Sequence, residues 1–232
     1  MNSERLSNRL KAVASFVEKG AIVADIGSDH AYLPCYLIKT GKIKIAVAGE
    51  VAQGPFDSAI KNVVREGLAE AITVRMANGL HAIEESDKAD TVTIAGMGGS
   101  LIATILENGK ERLESVTRII AQPNIHASVI RKWAVSNDWR ITDEHIMKED
   151  GKIYEIIVLM RGSSSYDESE LLFGPFLIEE KNTVFQEKWT REVVEFLRVL
   201  DSLGDAEMTG AIEQKKEQLI GKINLVREVL ST

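Results

Sequence analysis

Several features are scarce in this sequence, and each scarcity excludes a class of protein. There is one cysteine, Cys35, among 232 residues, which rules out an intrachain disulfide and a zinc site built from cysteines. No apolar run approaches the roughly 20 residues that span a bilayer, and residues 1–6 lack the basic-then-apolar pattern of a signal peptide. The four histidines are scattered, without metal-ligand spacing. We therefore expect a cytoplasmic protein that uses no membrane and no metal.

Basic charge is also in short supply. The net charge is −7 at pH 7, which excludes a surface that is basic throughout and suited to general coating by nucleic acid. Most of the negative charge comes from residues 163–232, which contain 14 acidic and 8 basic residues. Residues 1–162 are close to neutral, so a local basic patch is compatible with the sequence there.

The first two thirds of the chain alternate apolar, β-branched segments with helical ones. After a helical pattern at 4–18, strand patterns occur at 21–26, 43–48, 72–75, 91–95 and 116–121. This alternation predicts an α/β fold with a mostly parallel sheet covered on both faces. Residues 141–148 and 152–160 are also strand-like, and Asp150-Gly151 between them is typical of a hairpin turn. A parallel sheet that ends in a hairpin is the arrangement of Rossmann-like class I methyltransferases, and plain NAD-binding domains lack it.

The alternation ends at Gly162-Ser163-Ser164-Ser165, which is typical of a linker. Beyond it, residues 179–203 and 206–230 each carry an apolar stripe at helical spacing, and Gly204 lies between them. The simplest interpretation is a coiled-coil-like helical pair that buries each stripe against its partner helix. We therefore predict two domains, an α/β domain at 1–162 and a small α-helical domain at 163–232.

The most informative string follows the first strand and reads Asp25-Ile26-Gly27-Ser28-Asp29-His30-Ala31. Gly27 allows a tight turn, and N–H groups at the start of the next helix can meet polar ligand atoms. Asp29 stands where a dinucleotide-binding loop has its second glycine, and its size and charge disfavour a pyrophosphate there. S-adenosylmethionine has no phosphate and carries a sulfonium and an ammonium, so an acidic loop suits it better. A plain strand–helix connection explains Gly27 but not the two aspartates.

Three further strand ends supply candidate ligand contacts, because ligands of a doubly wound sheet lie at the carboxyl ends of its strands. After the second strand, Glu50-Val51 places a carboxylate that can accept hydrogen bonds from ribose hydroxyls. After the third, Asn78 offers a donor and an acceptor for the edge of an adenine ring, although Asn78-Gly79 is also a common turn. After the fourth, Ala95-Gly96-Met97-Gly98-Gly99 leaves room for a flat ligand against bare backbone. A solvated glutamate and a flexible glycine loop are the alternatives.

These strings resemble the bacterial tRNA (adenine-N1)-methyltransferases that modify adenine 22 in the D arm. The resemblance covers nearly the whole chain and is carried by residues 6–10, 24–34, 49–51, 94–99, 122–124 and 153–156. It implies a class I methyltransferase domain followed by a helical, coiled-coil-like domain, S-adenosyl-L-methionine as cofactor and tRNA as substrate. One departure is Ala77-Asn78-Gly79-Leu80, where the family usually has Gly-Asp-Gly-Leu. Asparagine keeps the hydrogen-bonding capacity but loses the charge, which puts the cofactor affinity in doubt.

The resemblance also implies roles for individual residues. Methylation at N1 makes the adenine cationic, so Asp29 is the candidate catalytic residue, as an electrostatic stabiliser and proton acceptor; cofactor binding alone is an equal alternative. The candidate cofactor-binding residues are Asp25, Gly27, Ser28, Asp29, His30, Glu50, Val51, Asn78, Gly79, Ala95, Gly96 and Met97. Arg5 and Arg9 of the first helix are candidate RNA contacts, with a solvated helix face as the alternative. In the acidic C-terminal helices, RNA contacts must come from a minority of basic residues such as Lys181, Lys188 and Arg191.

Other functions stay open at this point. A methyltransferase of another RNA, a protein or a small molecule has the same kind of cofactor site. A non-catalytic module with a nucleotide-binding fold and a helical interaction domain has the same organisation. A nicotinamide-dependent oxidoreductase is disfavoured by Asp29 and by the hairpin. No Asn/Asp-Pro-Pro-Tyr string follows the fourth strand, which fits a ring-nitrogen target, and no obligate protein partner is evident.

Overall fold

The computed structural model describes residues 6–204 and 209–231. The strands are β1 Val23–Ile26, β2 Ala46–Glu50, β3 Ile72–Met76, β4 Thr91–Met97, β5 Arg118–Pro123, β6 Trp139–Glu149 and β7 Lys152–Arg161. The α-helices are α1 Asn8–Phe16, α2 Tyr32–Lys39, α3 Gln53–Arg65, α4 Gly99–Asn108, α5 Ala127–Ser136, α6 Glu168–Phe173, α7 Pro175–Glu180, α8 Thr183–Ser202 and α9 Gly210–Ser231. Short 3-10 helices occupy Gly79–Ala82, Glu85–Asp87 and Lys110–Leu113.

Within the described residues, seven strands form one sheet in the order β3-β2-β1-β4-β5-β7-β6. Strands β1 to β5 are parallel, whereas β7 is antiparallel to both of its neighbours. The turn between β6 and β7 has φ of 50° at Asp150 and 76° at Gly151, as a tight hairpin turn requires. The predicted fold, a mostly parallel sheet with a terminal hairpin and a helical C-terminal region, is confirmed.

Two apolar layers fill the space between the sheet and its helices. Leu106 of α4 and Ile130 of α5 belong to the layer on one face. Leu37 of α2 and Val63 of α3 belong to the layer on the other face, together with residues of α1. Because both faces are covered, β1 and β2 are buried along their whole length, which is why their residues other than Asp25 and Glu50 are apolar or small, without alternation.

Most predicted elements are present, with ends that differ by a few residues. The largest difference within the sheet is β2, predicted at 43–48 and found at Ala46–Glu50. Its pairing with β1 continues to Gly49 and its pairing with β3 continues to Glu50. Glu50 is therefore the last residue of a paired strand, and its backbone is held in a fixed place at the carboxyl end of the sheet.

The C-terminal region contains two short helices that were not predicted, α6 and α7. The long helix predicted from residue 179 begins only at Thr183, because Lys181 has φ of 44° and the Asn182 side chain caps α8 by accepting hydrogen bonds from two N–H groups of its first turn. The second predicted helix is present as α9, but its predicted start at Ala206 lies outside the described residues. An apolar cluster joins these helices to the hairpin, and it includes Ile146, Phe173, Leu177, Phe185, Trp189 and Val226. None of the described helices is long and apolar enough to cross a membrane.

Candidate active site

A cavity of about 310 Å³ opens at the carboxyl ends of β1 and β4. It is lined by Arg9, Leu10, Asp25, Gly27, Ser28, Asp29, Tyr32, Leu33, Ala95, Gly96 and Met97. The strand order reverses here, because β1 has β2 on one side and β4 on the other. Doubly wound folds bind their ligands at such a switch point. Seven of the predicted cofactor-binding residues and one predicted RNA contact therefore meet where a ligand is expected.

The backbone of the loop after β1 is held in a conformation that residues other than glycine rarely adopt. Residues 29–31 all have φ between 40° and 66°, which costs roughly 1–3 kcal/mol at each non-glycine position unless other contacts hold it. Those contacts come from the end of β2. Glu50 Oε1 accepts a hydrogen bond from the Asp29 N–H at 2.5 Å, and two further N–H groups of the loop donate to the Gly49 carbonyl.

Asp25 is the buried carboxylate of the cavity. It is 4% exposed, and it accepts hydrogen bonds from Ser28 Oγ at 2.5 Å and from Thr93 Oγ1 at 2.6 Å. Burial raises the pKa of Asp25, the two hydroxyl groups oppose that rise, and the charge of Asp29 adds to it. Burial also raises the pKa of Glu50, against the hydrogen bond from Asp29 and with the help of both aspartate charges. Carboxylates that repel one another are stabilised when a cation enters between them.

Asp29 differs from Asp25 because its side chain is exposed. The exposed fraction is 83%, and Oδ1 lies 3.5 Å from His30 Nε2. The His30 ring in turn stacks on Tyr32 with 5.2 Å between the ring centroids. The loop therefore fixes the backbone of Asp29 and leaves its carboxylate accessible to a ligand.

Gly96 and Met97 connect the cavity to the end of β5. Gln122 Oε1 accepts a hydrogen bond from the Gly96 N–H at 3.0 Å, and Asn124 Nδ2 donates one to the Gly96 carbonyl at 2.8 Å. Gly96 has φ of 81°, a conformation that glycine adopts without strain. A Cβ atom on Gly27 would lie 2.0 Å from Met97 Cε. The loops after β1 and β4 are thus in direct contact, and Gly27 makes room for the methionine.

Arg9 belongs to the same assembly. Its guanidinium donates a hydrogen bond to Gln122 and lies over the Tyr154 ring, with 5.4 Å from Cζ to the centroid. Glu149 fixes the start of α1 by accepting hydrogen bonds from the N–H groups of Asn8 and Arg9. Gln122 and Tyr154 were not predicted as site residues. The signal in the sequence for Gln122 was a polar residue directly after the apolar run of β5, and the structure buries its side chain fully.

The remaining predicted residues lie beside the cavity or outside the described chain. The predicted cofactor-binding residues that do not line it are His30, Glu50, Val51, Asn78 and Gly79. Apart from His30, they lie at the carboxyl ends of β2 and β3, which are joined by a hydrogen bond from the Ala77 N–H to the Glu50 carbonyl at 2.8 Å. Arg5, a predicted RNA contact, lies outside the described residues. Conversely, Leu10, Tyr32 and Leu33 line the cavity and were not among the predicted contacts.

The side chains around the cavity fit a cationic cofactor without phosphate. Carboxylates of Asp25 and Asp29 line it, and Glu50 adds a third beside it. The lining guanidinium, Arg9, is already engaged with Gln122 and Tyr154. Across residues 6–204 and 209–231, no group of three or more His, Cys, Asp or Glu side chains is placed to hold a metal ion.

Comparison with known proteins identifies the family. The family model described as TrmK, tRNA (adenine(22)-N(1))-methyltransferase, matches residues 23–228. The chain belongs to this family. It is 45% identical over 236 residues to the tRNA (adenine(22)-N(1))-methyltransferase of Bacillus subtilis, with 99% of each chain covered. The family expected from the sequence strings is therefore confirmed.

Solved structures of relatives have the same fold over nearly their full length. The crystal structure of TrmK from B. subtilis is similar with a TM-score of 0.92 and 44% identity, covering 97% of this chain and 99% of that one. Sp1610 from Streptococcus pneumoniae, in complex with S-adenosyl-L-methionine, has a TM-score of 0.89 and 46% identity, covering 97% of this chain and 100% of that one. The similarity includes the C-terminal helices as well as the sheet.

Proposed function

We propose that this protein transfers a methyl group from S-adenosyl-L-methionine to N1 of adenine 22 in the D arm of tRNA. The observation that carries the proposal is the acidic cavity at the switch point of the sheet, in a chain that belongs to the tRNA (adenine(22)-N(1))-methyltransferase family. The exposed carboxylate of Asp29 beside the buried one of Asp25 gives this cavity the charge that a cationic cofactor and a cationic product both require.

The loop after β1 and the ends of β2, β3 and β4 are the proposed cofactor site. Gly27 and Ser28 bring backbone close to the ligand, and Asp25 and Asp29 offer negative charge to its ammonium and sulfonium groups. Glu50 is placed to accept hydrogen bonds from the ribose hydroxyls. Val51, Asn78 and Gly79, at the carboxyl ends of β2 and β3, would hold the adenine end of the cofactor, and Ala95, Gly96 and Met97 would contribute the wall formed by β4.

The bound cofactor supplies an electrophilic methyl group, and N1 of the target adenine takes it with its in-plane lone pair as the bond from the methyl carbon to sulfur breaks. The methylated adenine carries a positive charge, which Asp25 and Asp29 stabilise. Asp29 is the proposed catalytic residue because its exposed carboxylate can also accept a proton from the exocyclic amine. N1 lies on the Watson–Crick edge, so the target base must leave its pair before it enters the cavity.

The domain division and the RNA contacts are part of the same proposal. We place the methyltransferase domain at 1–162 and the helical domain at 163–232. We place RNA contacts at Arg5 and Arg9 of the N-terminal segment. For Arg9, the support is that α1 borders the cavity through Arg9 and Leu10. A base that enters this cavity therefore comes close to Arg9 and Leu10.

Incubation of the protein with an unmodified tRNA transcript and methyl-labelled cofactor tests the acceptor. We expect label at N1 of adenine 22 and none in a transcript with guanine at that position. Label at another atom or nucleotide would reject the proposed acceptor and keep the methyltransferase fold. Absence of S-adenosyl-L-methionine binding in isothermal titration would reject the cofactor.

A further inference from the structure

A second and larger cavity, of about 430 Å³, lies between the end of β5, the start of α5 and the helices α8 and α9. Its volume falls within the roughly 300–1,000 Å³ of small-ligand sites. The residues that matter for its chemistry are Asn124, Ile125, Trp189, Arg191, Phe196 and Lys222. The proposed mechanism uses none of these side chains except that of Asn124, which holds the Gly96 carbonyl.

Aromatic side chains form part of the wall of this cavity. Phe196 and Trp189 both line the cavity. The Trp189 ring is packed against Phe173 and Phe185, so the half-buried Phe196 is the ring available to an unpaired base, for which aromatic rings are the usual stacking partners. Trp189 is 4% exposed, and its Nε1 is the one buried side-chain nitrogen or oxygen without a hydrogen-bond partner in the described parts of the chain. A buried indole N–H usually has an acceptor, so the wall of this cavity contains a residue whose donor the chain leaves unpaired.

Positively charged side chains also line this cavity. Residues 163–232 are acidic as a whole, yet three of their eight basic residues line this cavity, namely Lys188, Arg191 and Lys222. Lys188 is bound to Glu155, and Arg191 to Glu187. Lys222 is exposed, its Nζ lies 5.9 Å from the centre of the Phe196 ring, and no carboxylate among residues 6–204 and 209–231 forms an ion pair with it. Because Lys188 and Arg191 are held in ion pairs and Lys222, among the described residues, is not, Lys222 is the cation available to a phosphate, although Glu155 and Glu192 also line the cavity.

The second cavity also lies directly next to the first. Asn124 lines this cavity, and its backbone N–H donates to the Met97 carbonyl at 2.7 Å while its side chain donates to the Gly96 carbonyl at 2.8 Å. Gly96 and Met97 line the cofactor cavity. The two cavities therefore share a wall formed by the ends of β4 and β5. A base that leaves its stack for the first cavity also leaves a neighbouring nucleotide without a stacking partner on that side.

We propose that this second cavity binds an unstacked nucleotide of the tRNA that neighbours the target adenine, with its base against Phe196 and its phosphate at Lys222. The proposal rests on the proposed function, because it takes the ligand to be the same RNA substrate. In this proposal the helical region holds the nucleotide next to the target adenine, beside the cavity at the carboxyl ends of β1 and β4.

Three variants of the full chain test this. Lys222→Gln removes the proposed phosphate contact and Phe196→Leu removes a stacking ring, whereas Arg227→Gln removes one positive charge from an exposed position of α9 that does not line the cavity. We expect both cavity variants to weaken binding of unmodified tRNA about 5- to 20-fold and the control to stay within about twofold. Lys222→Gln is also expected to reduce the slope of log affinity against log salt by about 0.7 to 1. Affinity for S-adenosyl-L-methionine stays unchanged in all three.

Because Lys222 is exposed, its variant remains a test if Phe196→Leu fails to fold. Lys222→Gln with the affinity and salt slope of the parent, in a preparation whose parent methylates adenine 22, overturns this inference and leaves the proposed function intact. A parent protein that neither binds nor methylates tRNA overturns the proposed function itself. Binding of adenosine monophosphate that disappears in Lys222→Gln without a change in tRNA affinity assigns the cavity to a free nucleotide and overturns the RNA assignment.

Discussion

Arg9 and Gln122, which are 113 residues apart in the sequence, are joined by a hydrogen bond from Arg9 Nη1 to Gln122 Oε1. The same oxygen accepts the Gly96 N–H at 3.0 Å. Arg9 therefore holds the side chain of Gln122 in place, and Gln122 in turn holds Gly96. Gly96 lines the cavity at the carboxyl ends of β1 and β4, which is the proposed cofactor site. Through Gln122, α1 takes part in placing the wall at which the cofactor and the target base meet in the proposed mechanism.

This link predicts that Gln122→Leu and Arg9→Met lower kcat by a similar factor, about 10- to 100-fold, because small displacements of reacting groups cost that much. Gln122→Leu changes no charge, so the salt dependence of its tRNA binding stays that of the parent. Arg9→Met is expected to reduce the salt slope by about one as well, because Arg9 is also proposed to contact RNA. Single-turnover rates and a salt series of tRNA affinities measure the two effects separately. A Gln122→Leu variant with the parental rate contradicts the positioning role.

Residues at strand ends can be located from local sequence patterns, whereas the contact between Arg9 and Gln122 cannot. The sequence could bring Asp25, Glu50 and Gly96 to the same end of the sheet because apolar runs mark strands, and parallel strands bring their carboxyl ends together. The contact between Arg9 and Gln122 has no local signature, because it depends on how α1 packs across the sheet.

The C-terminal helices show the same limit in another form. The helices α6 and α7 have six residues each, which is shorter than the window in which a helical period can be recognised. The boundary between α7 and α8 is set by the cap at Asn182, a short-range feature inside a longer apolar pattern. The apolar stripe therefore predicted the long helices but not where the first one begins.

The two proposed roles of Asp29 can be separated by paired substitutions. Asp29→Asn removes the charge and keeps a residue that tolerates the φ of 40°, whereas Asp29→Ala also removes the polar side chain. If Asp29 stabilises the cationic product, both variants lose about 10²- to 10³-fold in kcat at saturating cofactor. Measurement of kcat against cofactor concentration, with titration calorimetry for binding, checks this. Full recovery of kcat at saturating cofactor leaves Asp29 a role in binding only.

Cofactor affinity is expected to depend on the ionisation of Glu50. Burial raises the pKa of this carboxyl, so it takes up a proton at higher pH than an ordinary glutamate, whose pKa is about 4.3. As the pH falls through that raised pKa the site loses a negative charge, and affinity for the cationic cofactor falls. Glu50→Gln should bind more weakly at neutral pH and lose the part of this pH dependence that Glu50 contributes, while the part due to Asp25, whose pKa burial also raises, is kept. Calorimetric titrations across the acidic range check it, with exposed Glu70→Gln as control; a Glu50→Gln profile that parallels the parent contradicts it.

The buried guanidinium of Arg131 connects α5 to the hairpin. Its Nε donates to Glu144 Oε1 at 2.7 Å and its Nη2 to Glu155 Oε2 at 2.5 Å, and the side chain is fully buried. Arg131→Met leaves buried carboxylates without this partner, which is expected to lower the free energy of unfolding by about 3–5 kcal/mol. Arg198→Met, which removes an exposed arginine paired with Glu195, is the control and should change little. Urea unfolding measures both.

The pH dependence of the stability lost in Arg131→Met separates the charge of Arg131 from the packing of its stem. Burial raises the pKa of Glu144, and Arg131 opposes the rise, so removal of Arg131 raises this pKa further. A carboxyl whose pKa is higher in the folded than in the unfolded protein stabilises the fold below its unfolded pKa, and that contribution is lost as the pH rises through the folded pKa. The destabilisation by Arg131→Met should therefore be largest at pH 8 and shrink as the pH falls toward the ordinary glutamate range. A loss that is the same at both ends of this range would come from the packing of the arginine stem instead.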